Sequence, residues 1–170
     1  MTAAADPSAT PPGLARRFAA FLYEGVLLFG VVFFAGLLYS ILTRQQHALE
    51  GRTGMGIMIF LVLGLYFVSF WTRTGQTLAM KTWHLRVVDA AGRPLGVVRA
   101  IARYLLSWLW FLPALISVRL IGLHGGGAII GSLIAGVLAY LLIARLHPQR
   151  QFLHDAICGS RVITQLPQRS

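Results

Sequence analysis

Apolar residues along this chain fall into four segments, and nearly all charged residues lie between or beside those segments. A helix rises ~1.5 Å per residue, so about 20 apolar residues cross the ~30 Å hydrocarbon core of a bilayer. Hydrophobic residues make up 56% of the chain and charged residues only 12%, which is unusual for a soluble domain. The pattern predicts an all-α membrane protein with four transmembrane helices, at about residues 18–42, 53–72, 101–119 and 128–144.

The third segment is the shortest of the four. Residues 104–118 carry no charge, Pro113 lies among them, and Arg103 and Arg119 bound them. A full span there needs residues 101–103 as well, or arginines whose charged ends reach the interface. The alternative is a re-entrant or interfacial helix.

The basic residues predict an orientation. If the N-terminus is inside, twelve of the 15 Lys and Arg residues fall on the inner side, and only Arg44, Arg52 and Arg119 fall outside. Inner loops of membrane proteins hold the excess of Lys and Arg, so we expect both termini in the cytoplasm. The net charge of +10 then reflects topology and contact with the lipid bilayer. Nucleic-acid binding is not expected, because the basic residues flank spans instead of sharing one face with aromatics.

We predict one membrane domain over residues 14–165. Residues 1–13 are rich in Ala, Pro, Ser and Thr and are expected to be a disordered tail, and residues 166–170 form a C-terminal tail. The apolar run after Arg16 and Arg17 is longer than the core of a cleavable signal peptide, so it is expected to remain as an anchor.

The cytoplasmic segment 73–100 is expected to be structured. Leu78, Trp83 and Lys81 suit a short helix at the membrane interface. The sequence LRVVDA that follows favours a strand and a turn. A lone hairpin is marginally stable, so we predict a small sheet in which this strand pairs with the similar sequence GSRVIT at 159–164.

Small residues recur every four positions in the fourth segment: Gly127, Gly131, Ala135 and Ala139. This spacing lets helix backbones approach closely. The contact is either with another helix of the same chain or across a homo-oligomer.

Glu24 is a carboxylate inside the first apolar segment. A charge there costs about 2.5 kcal/mol or more, so it is expected to face a protein interior or a wet cavity. Arg17 lies on the same helical face but about 10.5 Å earlier along the axis, so each side chain should meet a partner from another segment. Asp155 is a candidate partner for Arg17, and Arg103 is a candidate partner for either Glu24 or Asp155. These four residues are predicted to form a polar network.

Three local sequences together resemble the RDD family of bacterial membrane proteins: ARRFAAFLYEG, GQTLAMKTWHLRVVDAAGRPL and FLHDAICGSRVI. The family is named for one arginine and two aspartates. Arg17 matches the arginine, Glu24 stands at the first aspartate, and Asp155 matches the second. Glutamate keeps the charge of aspartate but adds a methylene, which changes its reach. The resemblance covers about residues 14–165.

The resemblance implies a multi-pass protein of the bacterial inner membrane. Transport has been proposed for the family, and some members look like antiporters of sodium or other monovalent cations and protons. The functional interpretation of Glu24 is that it exchanges a proton for a monovalent cation such as Na⁺, Li⁺ or K⁺ in a cavity. Four helices form a thin wall, so transport would require a homo-oligomer or a larger membrane partner. The alternative is a scaffold or assembly factor in which Arg17, Glu24 and Asp155 are structural.

The sequence gives little sign of enzymatic or metal chemistry. It lacks a serine nucleophile elbow, an HExxH pair and a phosphate-binding glycine loop. His147 and His154 with Asp155 match no zinc-binding spacing. Cys158 follows His154 by one helical turn, which arises often by chance. We predict neither an enzyme nor a bound metal or cofactor.

Overall fold

The computed structural model of the protein describes residues 12–43, 52–111, 116, 122, 126–146 and 152–165. Its elements in chain order are α1 (Leu14–Leu42), α2 (Arg52–Arg73), α3 (Leu78–Thr82), β1 (Leu85–Asp89), α4 (Val97–Ser107), a 3₁₀ turn (Trp108–Trp110), α5 (Gly126–Leu146), α6 (Leu153–Cys158) and β2 (Ser160–Thr164). The predicted N-terminal tail lies mostly, and the C-terminal tail entirely, outside the described residues.

The first two predicted spans are helices that are long and apolar enough to cross a membrane. The 29 residues of α1 and the 22 residues of α2 correspond to roughly 44 Å and 33 Å of helix. Both helices turn large apolar side chains outward. Phe29 is 74% exposed and Leu65 is 71% exposed, as expected of surfaces that face lipid. The structure thus has two candidate membrane helices at the positions of the first two predicted spans.

The predicted third span differs from the helix that the structure shows. Instead of running over 101–119, α4 begins at Val97 and ends at Ser107, where the 3₁₀ turn tightens the chain. Its polar face points inward, since Arg103 is buried, while Val98 is 81% exposed on the outer face. Residues 112–115 and 117–121 lie outside the described residues, so a third full span stays a prediction.

The predicted fourth span corresponds to α5. Its described apolar part is shorter than the two candidate spans, so this crossing also stays a prediction. The four small residues spaced along it are all exposed: Gly127, Gly131, Ala135 and Ala139. This exposure does not distinguish packing against another helix of the chain from packing across a homo-oligomer, so both remain predictions.

The predicted pairing of the two strand sequences is confirmed. β1 and β2 form an antiparallel sheet in which Val87 lies opposite Val162. The other edge of β1 is covered by the chain after α2, because the Val87 amide donates to the Gly75 carbonyl over 2.8 Å and the Gln76 side chain donates to the Leu85 carbonyl. Every residue of β1 is therefore buried.

The helices and the sheet share one apolar core. Trp71 of α2, Tyr104 of α4 and Val87 of β1 belong to the same buried cluster, together with Ala20 of α1. We call α3, β1, α6 and β2 the sheet end of the bundle. Because this end packs on α1, α2 and α4 through common core residues, it positions side chains against the polar residues of those helices.

Candidate functional site

Glu24 is held by two hydroxyl groups. It is 7% exposed, and its Oε1 accepts a 2.6 Å hydrogen bond from the Tyr66 hydroxyl of α2. Its Oε2 accepts a hydrogen bond from the Thr77 hydroxyl. The Thr77 oxygen also accepts the Met80 amide and so caps α3. The carboxylate thus joins α1 to α2 and to the start of α3.

Both partners of Glu24 are neutral. Among the described residues, the salt bridges that the structure forms do not include Glu24. The predicted alternative in which Arg103 pairs with Glu24 is therefore not the arrangement observed. A carboxylate held only by hydroxyls keeps its negative charge uncompensated at close range when it is ionised.

Asp155 has the opposite surroundings. Its Oδ1 lies 2.8 Å from Nε of Arg103 and accepts a 2.9 Å hydrogen bond from the Ser160 hydroxyl. The exposed fractions of the Arg103 and Asp155 side chains are 5% and 0%. Burial alone would raise the pKa of Asp155, but the positive charge of Arg103 and these hydrogen bonds lower the pKa below its ordinary value. The pair fastens α6 to α4 as a charged unit.

Aromatic rings surround the two arginines. The Arg103 guanidinium lies over the Trp71 ring, 4.1 Å from its centroid. The Arg17 guanidinium is buried and lies 5.6 Å from the centroid of Phe152, and it is attracted by the charge of Asp155. Stacking of this kind stabilises a guanidinium away from water. The structure therefore gathers Arg17, Arg103 and Asp155 at the sheet end, two helical turns from Glu24.

His154 lies beside this group and is 4% exposed. Its Nε2 is 3.7 Å from Oδ2 of Asp155, and its ring stacks on Phe152. Burial lowers the pKa of His154 to about 4, and the charges of Arg103 and Arg17 act in the same direction against that of Asp155. The imidazole is neutral at pH 7.

A cavity of about 420 Å³ connects these polar groups. Arg17, Glu24, Arg103 and His154 all line it, and most of the remaining wall is apolar or aromatic. Its volume lies within the range of small-molecule sites, which are mostly apolar with a few convergent polar groups. The four polar residues thus share one space.

The remaining candidate residues for metal or thiol chemistry are partly described. It contains no group of three or more His, Cys, Asp or Glu residues that is placed to hold a metal ion. Burial raises the pKa of the Cys158 thiol, which disfavours the nucleophilic thiolate. His147 lies outside the described residues.

The RDD family model matches residues 11–159. This chain belongs to the RDD family. Neither a curated protein nor a solved structure matches it significantly. The matched range of this RDD protein includes Arg17, Glu24, Arg103 and Asp155.

Tyr66 and Thr77 are the site residues that the sequence did not reveal. Tyr66 lies in an apolar run where an aromatic residue is ordinary, and Thr77 lies in a short polar stretch that predicts only a turn. Both residues carry a hydroxyl group close to a predicted membrane boundary. Hydroxyl residues are common there, so this feature does not mark a site. Only the folded structure brings them to the buried carboxylate of this RDD protein.

Proposed function

We propose that this RDD-family protein is a module of the bacterial inner membrane that exchanges a monovalent cation for a proton at Glu24. The observation that carries the proposal is the contrast between the two buried acids. Asp155 is compensated by Arg103 at 2.8 Å, whereas Glu24 accepts hydrogen bonds only from the hydroxyls of Tyr66 and Thr77 and lines the cavity.

The surroundings of Glu24 suit competition between a proton and a cation. Ionisable groups inside membrane segments mark ion and proton paths. Alkali cations are hard ions that favour oxygen ligands, and the carboxylate with its two hydroxyl partners supplies oxygens of that kind. Protonation removes the charge that attracts the cation, so either a proton or a cation is held at one time.

Asp155 is assigned the supporting role. A proton binds weakly to a carboxylate that a guanidinium already compensates, so this acid is poorly suited to exchange protons near neutral pH. Two acids whose surroundings differ in this way take different roles. In the proposal, Arg103 and Asp155 keep the sheet end attached while Glu24 carries the proton.

The test is cation-driven proton flux in proteoliposomes that contain a trapped pH dye. We expect pulses of Na⁺, Li⁺ or K⁺ to move protons with the wild-type protein. Glu24→Gln should reduce the flux at least tenfold, because the amide keeps the size of the side chain but cannot exchange a proton. Glu24→Asp is the matched control and should retain flux, since it keeps the carboxylate and restores the family's residue.

A scaffold or assembly factor is the second candidate, supported by the way Glu24 connects α1 with Tyr66 of α2 and Thr77 of α3. In that role the wild-type protein gives no flux, and Glu24→Gln and Asp155→Asn both weaken folding or the binding of a homo-oligomeric or larger membrane partner. Absence of flux with every cation, from protein that is inserted and folded, would exclude the exchange proposal.

A further inference from the structure

The cavity has an opening on the outer face of α1. Phe21 and Gly25 line the cavity, and both residues are exposed. They lie within an apolar helix that is long enough to cross a membrane. An opening between them therefore faces hydrocarbon instead of bulk water. The walls behind it include the apolar side chains Leu28, Leu63 and Phe67.

The part of the cavity next to the sheet end is charged instead of apolar. Arg17 and Arg103 line it, and Asp155 is the carboxylate that lies against them. Two guanidiniums and one carboxylate therefore lie at this end, His154 is neutral at pH 7, and Glu24 lines the cavity two helical turns farther along α1.

Trp71 lines the same end, and its ring lies 4.1 Å from the Arg103 guanidinium. Guanidinium groups at one end and apolar walls at the other suit an amphiphile with an anionic end.

We propose that the cavity binds one acyl chain that carries an anionic head group. The chain lies between Phe21 and Gly25 against Leu28, and the head group is held by Arg17 and Arg103. Basic pockets between membrane helices bind anionic lipid head groups in this manner. Glu24 lines the same cavity, and lipid binding does not depend on whether that residue exchanges ions.

The polarity of the cavity agrees with the predicted orientation of the protein. Arg17 lies in the first turn of α1, and Leu28 lies about 16 Å farther along its axis. With the N-terminus inside, the basic end is at the level of the inner head groups and the apolar end points towards the middle of the bilayer. A lipid of the inner leaflet has the same polarity.

Quenching of tryptophan fluorescence by brominated acyl chains tests the proposal. The chain has four tryptophans, and Trp71 and Trp108 line the cavity. In a background of Trp83→Phe and Trp110→Phe, the remaining signal reports on the cavity. The protein is reconstituted with brominated phosphatidylglycerol, brominated stearate or brominated phosphatidylcholine, each at the same low mole fraction.

We expect the anionic probes to quench several-fold more than brominated phosphatidylcholine. Stronger quenching by phosphatidylglycerol identifies a lipid head group as the source of the anion, and stronger quenching by stearate identifies a free fatty acid. One guanidinium near an anionic head group changes association about fivefold. Arg17→Gln should therefore reduce the preference for the anionic probe by about that factor.

A second variant tests the site if Arg17→Gln fails to fold. A Cβ at Gly25 meets nothing within 4 Å, so Gly25→Leu fits the backbone and fills the opening. It should remove the excess quenching. Gly30→Leu is the matched control, because Gly30 is equally unobstructed and does not line the cavity. Equal quenching by all three probes, or equal behaviour of the two leucine variants, would overturn the proposal whatever the ion-flux result.

Discussion

Asp155 illustrates how a buried charge depends on one partner. Its carboxylate is inaccessible to water, and the Arg103 side chain is only 5% exposed. Bringing both groups out of water is costly, so such a pair adds little net stability over apolar packing. Removing one member is different, because the other charge is then left buried without compensation.

We predict that Asp155→Asn lowers the free energy of unfolding by about 3–5 kcal/mol. Thermal or urea unfolding in detergent measures the change. Asp89→Asn is the control, because its partner Arg93 has a side chain that is 71% exposed. The Asp89 side chain is 9% exposed, but an asparagine Oδ1 can still accept the Ala91 and Arg93 amides, so the change removes only an ion pair with an exposed partner, at about 1 kcal/mol or less. If the two variants lose the same small amount, the Arg103–Asp155 pair is not the structural clamp that its geometry indicates.

His154 predicts a pH dependence of stability. The folded protein keeps the imidazole neutral down to about pH 4, whereas in the unfolded chain it binds a proton near its ordinary pKa of 6.5. The unfolded state therefore holds more protons between these values, so the free energy of unfolding falls as the pH falls from 6.5 to 4. The loss should be on the order of 3 kcal/mol.

The measurement is the unfolding midpoint in detergent as a function of pH, in wild type and in His154→Gln. Glutamine cannot take up this proton, so the variant should lose less stability over the same window. An unchanged slope in the variant would assign the acid sensitivity to other groups.

Among the elements, the β1 edge depends on the turn after α2. Gly75 has a φ of +74°, and a Cβ there would lie 2.5 Å from the Val87 carbonyl oxygen. The same two residues are joined by the 2.8 Å hydrogen bond from the Val87 amide to the Gly75 carbonyl. Only glycine permits both the left-handed backbone and this close approach.

We predict that Gly75→Ala destabilises the protein by about 2 kcal/mol or more, since the left-handed backbone alone costs about 1–2 kcal/mol. Gly96→Ala is the control, because Gly96 has a φ of −67° and open space around its Cβ position. Urea unfolding of the two variants gives the comparison. Similar midpoints would show that the edge of β1 adjusts without cost.

Local patterns in the sequence predicted some elements and not others. The long apolar runs of α1 and α2 and the strand-forming sequences of β1 and β2 are local signals, and both pairs were predicted. The position of α4 was not predicted. The span at 101–119 was placed by the charges that bound an apolar run, and Val97 and Val98, where α4 begins, lie outside that run.

The candidate site was predictable only in part. Charges that interrupt apolar runs are rare, so Glu24 and Arg103 could be identified from the sequence. Their partners depend on contacts between distant segments: Tyr66 is 42 residues from Glu24, and Thr77 is 53 residues from it. Hydroxyl residues are too common for periodicity or charge pattern to select these two.

For the whole molecule, the prediction to test is a topology with four membrane crossings, against an alternative with two. Cysteine labelling with a membrane-impermeant maleimide in oriented vesicles tests this in a Cys158→Ser background. We predict that Thr43→Cys and Gly126→Cys label from the outer side, and that Gly96→Cys labels from the inner side. These positions are exposed in the structure.

Gly126→Cys is the decisive position, because it precedes α5. Labelling from the inner side would mean that the chain does not cross the membrane between α4 and α5, which would exclude the third span. Thr43→Cys serves as the control for the orientation of the vesicles, since it follows α1 directly.

The clamp between α4 and α6 also sets an order of assembly during synthesis. Asp155 and β2 leave the ribosome after α1, α2, β1 and α4, so Arg103 and the whole of β1 must wait for the last part of the domain. Until then, β1 has only the edge contacts from Gly75 and Gln76, and Arg103 has no carboxylate from α6. A chain that stops before residue 155 therefore lacks both the partner strand of β1 and the acid that holds Arg103.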